Sequence, residues 1–185
     1  MKVDARVQKS QQAIISTALT LFNQNRDVTF SEIASQAGVG RATLYRQFET
    51  REVLIKAIAL TCFNRLDSVN DIIEEEAKSA IHAIELCFHY VMPFTEEFKF
   101  LAEVEHLIED DPDIIRIYKQ QFDETIALVQ QAKKEGSIRK SLPNAWLATL
   151  IEGLFFTAWE AISEHGMSPE ETATLAFDSL CNGIK

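Results

Sequence analysis

Residues 41–46 read RATLYR, which places two arginines, a threonine and a tyrosine within one and a half helical turns. At helical spacing Leu44 and Phe48, four apart, form an inward face. Ala42 and Arg46 then point directly away from Leu44, Thr43 and Tyr45 flank them, and Arg41 sits in the first turn. The exposed side is therefore short, hydrogen-bonding and basic. A guanidinium fork matches paired acceptors such as phosphate oxygens or O6 and N7 of guanine. This is the chemistry of a helix that enters a major groove, with its N-terminal side chains on base edges and the rest on phosphates. The bland alternative is a helical hairpin with a solvated polar face.

The neighbouring elements decide how such a helix is held. Thr29 and Glu32 have the T-x-x-E spacing of a capping box, in which each side chain bonds the other residue's amide. Phe30, Ile33, Ala34 and Ala37 follow as one apolar stripe, and Gly38 is suited to a left-handed helix end. Val39 fills the crossing and Gly40 begins the next helix. A helix over about 5–25 buries Ile14, Ala18, Leu21 and Phe22, with Ile15 and Leu19 widening that face, and packs across the pair. Lys2, Arg6 and Lys9 make a basic arm within reach of an adjacent phosphate or minor groove. Thr50 caps a further helix to about Val69, with Val53, Leu54, Ala57, Ile58 and Cys62 inward.

Residues 29–56, TFSEIASQAGVGRATLYRQFETREVLIK, resemble the DNA-binding domain of the TetR family of bacterial transcriptional regulators through EIA, AGV, TLYRQF and REVL. The resemblance is specific over roughly residues 8–60; beyond that, only length and helical layout agree. It implies an all-α fold of about nine helices. A three-helix helix-turn-helix domain over 1–52, with the motif at 29–48, would precede a helical effector-binding and dimerisation body over 53–185. It also implies a homodimer on a pseudo-palindromic operator, usually a repressor, with the last two helices of each subunit forming a four-helix interface. Base edges fall to Arg41 and Thr43, beside Ala42. The DNA backbone falls to Thr29, the Gly40 amide, Tyr45, Arg46 and, by the resemblance, Arg51 at the start of the following helix. Gly40 departs from the family pattern, which usually has Ser or a similar residue there. A side-chain cap or phosphate contact is lost, while the amide contact survives.

The formal net charge is −10, but the charge is divided. Residues 1–56 hold eight Lys/Arg and five Asp/Glu, a net +3; the rest holds ten and 23, a net −13. A basic head on an acidic body suits a protein that touches phosphate at one end. The N-terminus lacks a signal-peptide core, and no uninterrupted apolar run approaches the ~18–20 residues of a membrane span. Cys62, Cys87 and Cys181 are odd in number and widely spaced, which reads as free thiols in a reducing cytoplasm. No Walker loop, dinucleotide fingerprint, G-x-S-x-G or H-E-x-x-H is present, so nothing favours an enzyme or a cofactor. His82, Glu85 and His89 share a helix face, as do Glu103, His106 and Asp110; metal binding is not expected of either.

Downstream, the spacing predicts helices over about 71–93, 95–109, 112–135, 143–165 and 169–183. Pro112 and Pro169 stand at first positions, and Gly136 and Gly166 follow helix ends. Ile114, Ile117, Tyr118, Phe122, Ile126 and Val129 form one stripe, and Leu175, Ala176, Ser179, Leu180 and Ile184 another. The excess apolar surface of the last two helices suggests burial against a second copy. Aromatic residues concentrate in the body. Phe88, Tyr118, Phe122, Phe155 and Trp159 are the candidate lining of a cavity for a small, largely apolar effector, set against plain packing. The competing function is a helical dimeric protein-interaction module without specific DNA binding.

Overall fold

A computed structural model describes residues 5–184, the last by its backbone alone. Lys2 of the expected arm and the Ile184 side chain lie outside the described residues. Those residues form ten helices and no strand: α1 (Ala5–Gln24), α2 (Phe30–Gln36), α3 (Arg41–Gln47), α4 (Arg51–Asp67), α5 (Asn70–Glu76), α6 (Ala80–Val91), α7 (Thr95–Ile108), α8 (Pro112–Lys134), α9 (Asn144–His165) and α10 (Pro169–Ile184). The fold is all-α with an N-terminal helix-turn-helix and a helical body. The extra helix arises where one helix over 71–93 is expected. Ala77 is extended (ψ 124°), and extended Ser79 caps α6 by accepting from the His82 amide. The Glu135 carboxylate accepts from the Ala80 amide at 2.8 Å, a second cap contributed from the end of α8. Apolar spacing that runs on across the break hides it in the sequence.

The chain divides into two compact units. The first takes the chain through Arg65 together with Glu96–Asp111; the second takes Leu66–Thr95 and everything from Pro112 onward. In the first unit α1 buries Ile14, Ile15, Ala18, Leu19, Leu21 and Phe22, α2 buries Ile33 and Ala34, and α3 buries Leu44. From α4 come Leu54, Ile55, Ile58, Ala59, Cys62 and Phe63. Val53, expected inward, is 47% exposed: it lies about 100° from Leu54 around the helix, off the buried stripe.

The α7 portion is tied to this unit by polar links as well as packing. Lys99 donates to the Asn23 carbonyl at 2.7 Å, and the Asn23 side-chain amide donates to the Glu96 carbonyl at 2.9 Å. Lys56 pairs with Asp111 at 2.8 Å and Arg26 with Glu103 at 3.6 Å. Glu97 is buried, and Arg65 meets its carboxylate at 2.6 Å. A buried carboxylate left without that partner would be strongly destabilising.

In the second unit α10 packs on α9 and α6, and α8 on α9 and α6. Phe88, Met92, Leu147, Ile151 and Leu180 are buried there, while Val69, Ile73 and Ala83 centre a smaller cluster. The 22-residue α9 corrects one expectation. Averaged over an 18-residue window it is long and apolar enough to cross a membrane, although only 22% of that window is buried. Counting uninterrupted apolar runs misses it, because Thr149, Glu152 and Thr157 break the run without lowering the average much. Trp146 and Phe156 on α9 and Leu175 on α10, all large and apolar, are exposed.

Candidate nucleic-acid interface

The interface is set by how α2 ends and α3 begins. The capping box at the start of α2 is complete. Thr29 Oγ1 accepts from the Glu32 amide at 3.3 Å, and Glu32 Oε2 accepts from the Thr29 amide at 2.7 Å. The amide bond to Thr29, and then its hydroxyl, hold the Glu32 carboxyl below the usual carboxylate range. At the other end Gly38 takes φ +67°. Its amide donates to the Ser35 carbonyl, and the Val39 amide reaches back to the Ala34 carbonyl at 3.0 Å. These two bonds define the left-handed helix stop that only glycine adopts without strain. Gly40 caps α3 through its backbone alone, as its lack of a side chain requires.

Leu44 and Phe48 are buried, and α3 turns Arg41, Ala42, Tyr45 and Arg46 outward, with Thr43 half-buried. The Tyr45 ring is braced against Phe30 at 5.2 Å, so its hydroxyl is presented from a fixed position. Among the described residues Arg41 and Arg46 have no hydrogen-bond or ion-pair partner, whereas Arg26, Lys56 and Arg65 are held by carboxylates. A link invisible in the sequence fixes the far end of α3: Gln47 Nε2 donates to Ser10 Oγ on α1 at 2.7 Å.

Two expected backbone ligands are already engaged. The Thr29 hydroxyl donates to Glu32 Oε2 at 2.7 Å while accepting its cap bond. Arg51 is the larger departure. Its guanidinium donates to the carbonyls of Val28 (2.9 Å) and Arg26 and lies over the Phe22 ring at 4.5 Å from the centroid.

The five candidate effector residues all lie in the second unit. Phe88 and Phe155 stack with centroids 4.4 Å apart. Trp159 buries its indole N–H, which finds no acceptor among the described residues. Phe122 is half-buried, and Tyr118 is 42% exposed. The open grooves described lie elsewhere, along α8 at Arg116, Lys119, Asp123 and Glu124, and at the start of α10 around Ser168. Neither histidine-containing trio gathers into a metal-ligating cluster among the described residues. His82 Nδ1 accepts from the Lys78 amide instead, and Glu103 pairs with Arg26. Burial, with Glu97 adding to it, pushes the Cys62 thiol up to about 12, and burial pushes Cys87 up to about 11. Both thiols stay protonated at neutral pH, which lowers their nucleophilicity.

Residues 14–58, which hold this geometry, match the family model described as bacterial regulatory proteins, tetR family. The domain over residues 14–58 is a TetR-family DNA-binding domain. With that come a DNA-binding helix-turn-helix and a role in transcription regulation. Over the whole length it is 21% identical to the HTH-type transcriptional repressor LfrR of Mycolicibacterium smegmatis, across 96% of this chain and 91% of that one. The crystal structure of LfrR in complex with proflavine shares the fold of this chain at 20% identity. Its TM-score is 0.76, over 96% of this chain and 98% of that one. The ketosteroid regulator KstR2 of Mycobacterium tuberculosis shares it at 16% identity, with a TM-score of 0.79 over 100% and 97%.

Proposed function

We propose that this TetR-family regulator is a homodimeric repressor that reads a pseudo-palindromic operator and leaves it when a small, largely apolar molecule binds the body. The observation that carries the reading is the outer face of α3. Arg41 and Arg46 stand exposed and unengaged beside a braced Tyr45, on a unit whose other cations are largely tied to protein groups. Arg41 and Thr43 read base edges, with the Ala42 methyl alongside. Tyr45, Arg46 and the Gly40 amide hold the backbone, and Thr29 is placed to add one acceptor or donor beside them. In functional terms residues 1–52 read DNA, and 53–185 bind effector and dimerise.

The exposed Trp146, Phe156 and Leu175 support dimerisation through α9 and α10. Exposed apolar side chains on two adjacent helices suit an interaction surface, and the occupant proposed here is a second copy. For the effector, the stacked Phe88 and Phe155 and the unmet Trp159 N–H suit a flat apolar molecule bearing one acceptor. LfrR is similar over nearly the whole chain, and its complex with proflavine supports a planar aromatic effector here. Release is a population shift: effector acts only as far as it prefers the spacing of heads that misfits successive grooves. α4, one continuous helix whose residues belong to both units, carries the movement. The regulator works in the cytoplasm.

The test is fluorescence anisotropy with DNA from immediately upstream of the gene, against scrambled DNA at two salt concentrations. Tight, salt-sensitive binding to the upstream fragment alone is expected. Equal weak binding of both, at both salts and by other genomic fragments, would replace the reading with a protein-interaction module. Saturable quenching of tryptophan fluorescence by a panel of planar aromatic compounds checks the effector. A ligand that binds tightly yet leaves operator affinity unchanged removes the release mechanism.

A further inference from the structure

We infer that Arg51 is a positioning residue for the recognition helix and not a phosphate ligand. The inference rests on the DNA-reading function above and changes one assignment within it. Three contacts carry it. Nη1 donates to the Val28 carbonyl at 2.9 Å, Nη2 donates to the Arg26 carbonyl, and the guanidinium plane lies over Phe22, 4.5 Å from the ring centroid. Both terminal nitrogens are thus bonded to the connection between α1 and α2. Phe22 is 5% exposed and packs in turn against Phe100, so the arginine rests on a fixed surface.

The connection it grips is the one that starts α2. Val28 is buried, and Thr29, next in the chain, opens the capping box. α2 sets α3 through the short turn at Gly38, so the start of α4, the α1–α2 connection and the recognition helix are joined through one side chain. Carbonyls at such a connection have no helical partner, and a charged donor satisfies them with bonds about twice as strong as neutral ones. Only a forked guanidinium can bridge two carbonyls from above a ring. A lysine ammonium keeps the charge and loses the bridge.

That chemical difference makes the test. Full-length protein, Arg51→Lys and Arg51→Gln are titrated with the upstream fragment and with scrambled DNA across a salt series. A phosphate ligand would tolerate lysine, and its removal by glutamine would weaken both DNAs and flatten the slope of log K against log salt by about 0.9 per lost contact. A positioning residue behaves otherwise. Lysine and glutamine both lower binding to the upstream fragment by about tenfold or more, leave scrambled DNA nearly unchanged and keep the slope. Wild-type affinity in Arg51→Lys, or a flattened slope in Arg51→Gln, overturns the inference.

One further measurement needs no variant, and another needs no DNA, with exchange in the α4 and α1 cores of the variant as its control for folding. In the wild-type protein the Arg51 side-chain NMR signals stay in place when DNA is added, while those of Arg41 and Arg46 move; a moved Arg51 signal contradicts the assignment. Without DNA, Arg51→Lys speeds hydrogen exchange at the Val28 and Thr29 amides. Unchanged exchange there refutes the clamp even if the protein proves not to bind DNA selectively, and that second failure would count only against the DNA-reading function.

Discussion

The two units present opposite surfaces. The first leaves the cations Arg41 and Arg46 uncovered on α3. The second is acidic and leaves Trp146, Phe156 and Leu175 uncovered on α9 and α10. An exposed guanidinium is well solvated and waits for an anion at little cost. An exposed Phe or Trp gains only by leaving water. The difference suits the two kinds of partner proposed above: a polyanion met reversibly and salt-dependently, and an apolar face of a second copy met more permanently.

The largest test of that contrast is on the apolar side. Phe156→Asp removes burial worth about 1.5–3 kcal/mol per side chain, twice in a symmetric dimer, and adds a charge. The dimer constant should weaken by about a hundredfold or more, read by sedimentation at several concentrations. Undiminished dimer with normal helicity would place the interface elsewhere. Next comes Arg41→Ala, expected to cost ~1–3 kcal/mol on the operator and to relax preference at one base position. Equal loss on every sequence would demote Arg41 to the backbone. Arg46→Ala should instead weaken all sequences alike and shallow the salt slope.

Smaller effects sharpen the picture of α3 itself. A Cβ on Gly40 would meet only Thr43 Oγ1, at 3.9 Å, and φ there is −70°. Gly40→Ser should therefore fit, stabilise the helix start by a few tenths of a kcal/mol and raise DNA affinity slightly, read by thermal melting and anisotropy. The smallest is a pH effect. The Glu32 carboxyl is held below its usual range in the folded state, so its contribution is present above the unfolded pKa and fades as pH falls through the folded one. Amide shifts of Thr29 and Glu32 should titrate together in that acidic window; flat shifts would show that the box does not depend on the charge.

How much of this was legible tracks the distance between partners along the chain. The box at Thr29 and Glu32, the stop at Gly38 and the inward Leu44 and Phe48 are all local, and their spacing alone places them. Arg51 could be located, as the first residue of α4, but its partners 23 and 25 residues upstream could not. The pairs Lys56–Asp111 and Arg65–Glu97 leave no mark in any short window. The break at Ala77 escaped because apolar spacing continues through it, and the exposure of Val53 because a shift of one residue on a helix turns a side chain by about 100°. The aromatic residues of the body could be gathered by type, but spacing says nothing of which ones stack.

The residues that complete the DNA-reading unit are not all at its end of the chain. Phe22 waits for Phe100, Asn23 for Glu96 and Lys99, Lys56 for Asp111, and Arg65 for Glu97. On a ribosome, the helix-turn-helix is made early, but its packing and its ion pairs stay open until about a hundred residues have emerged. The same holds for a graft. A chimera that takes only the first 60 residues into another regulator inherits a buried face without its cover and cations without their carboxylates, unless residues 96–111 travel with it.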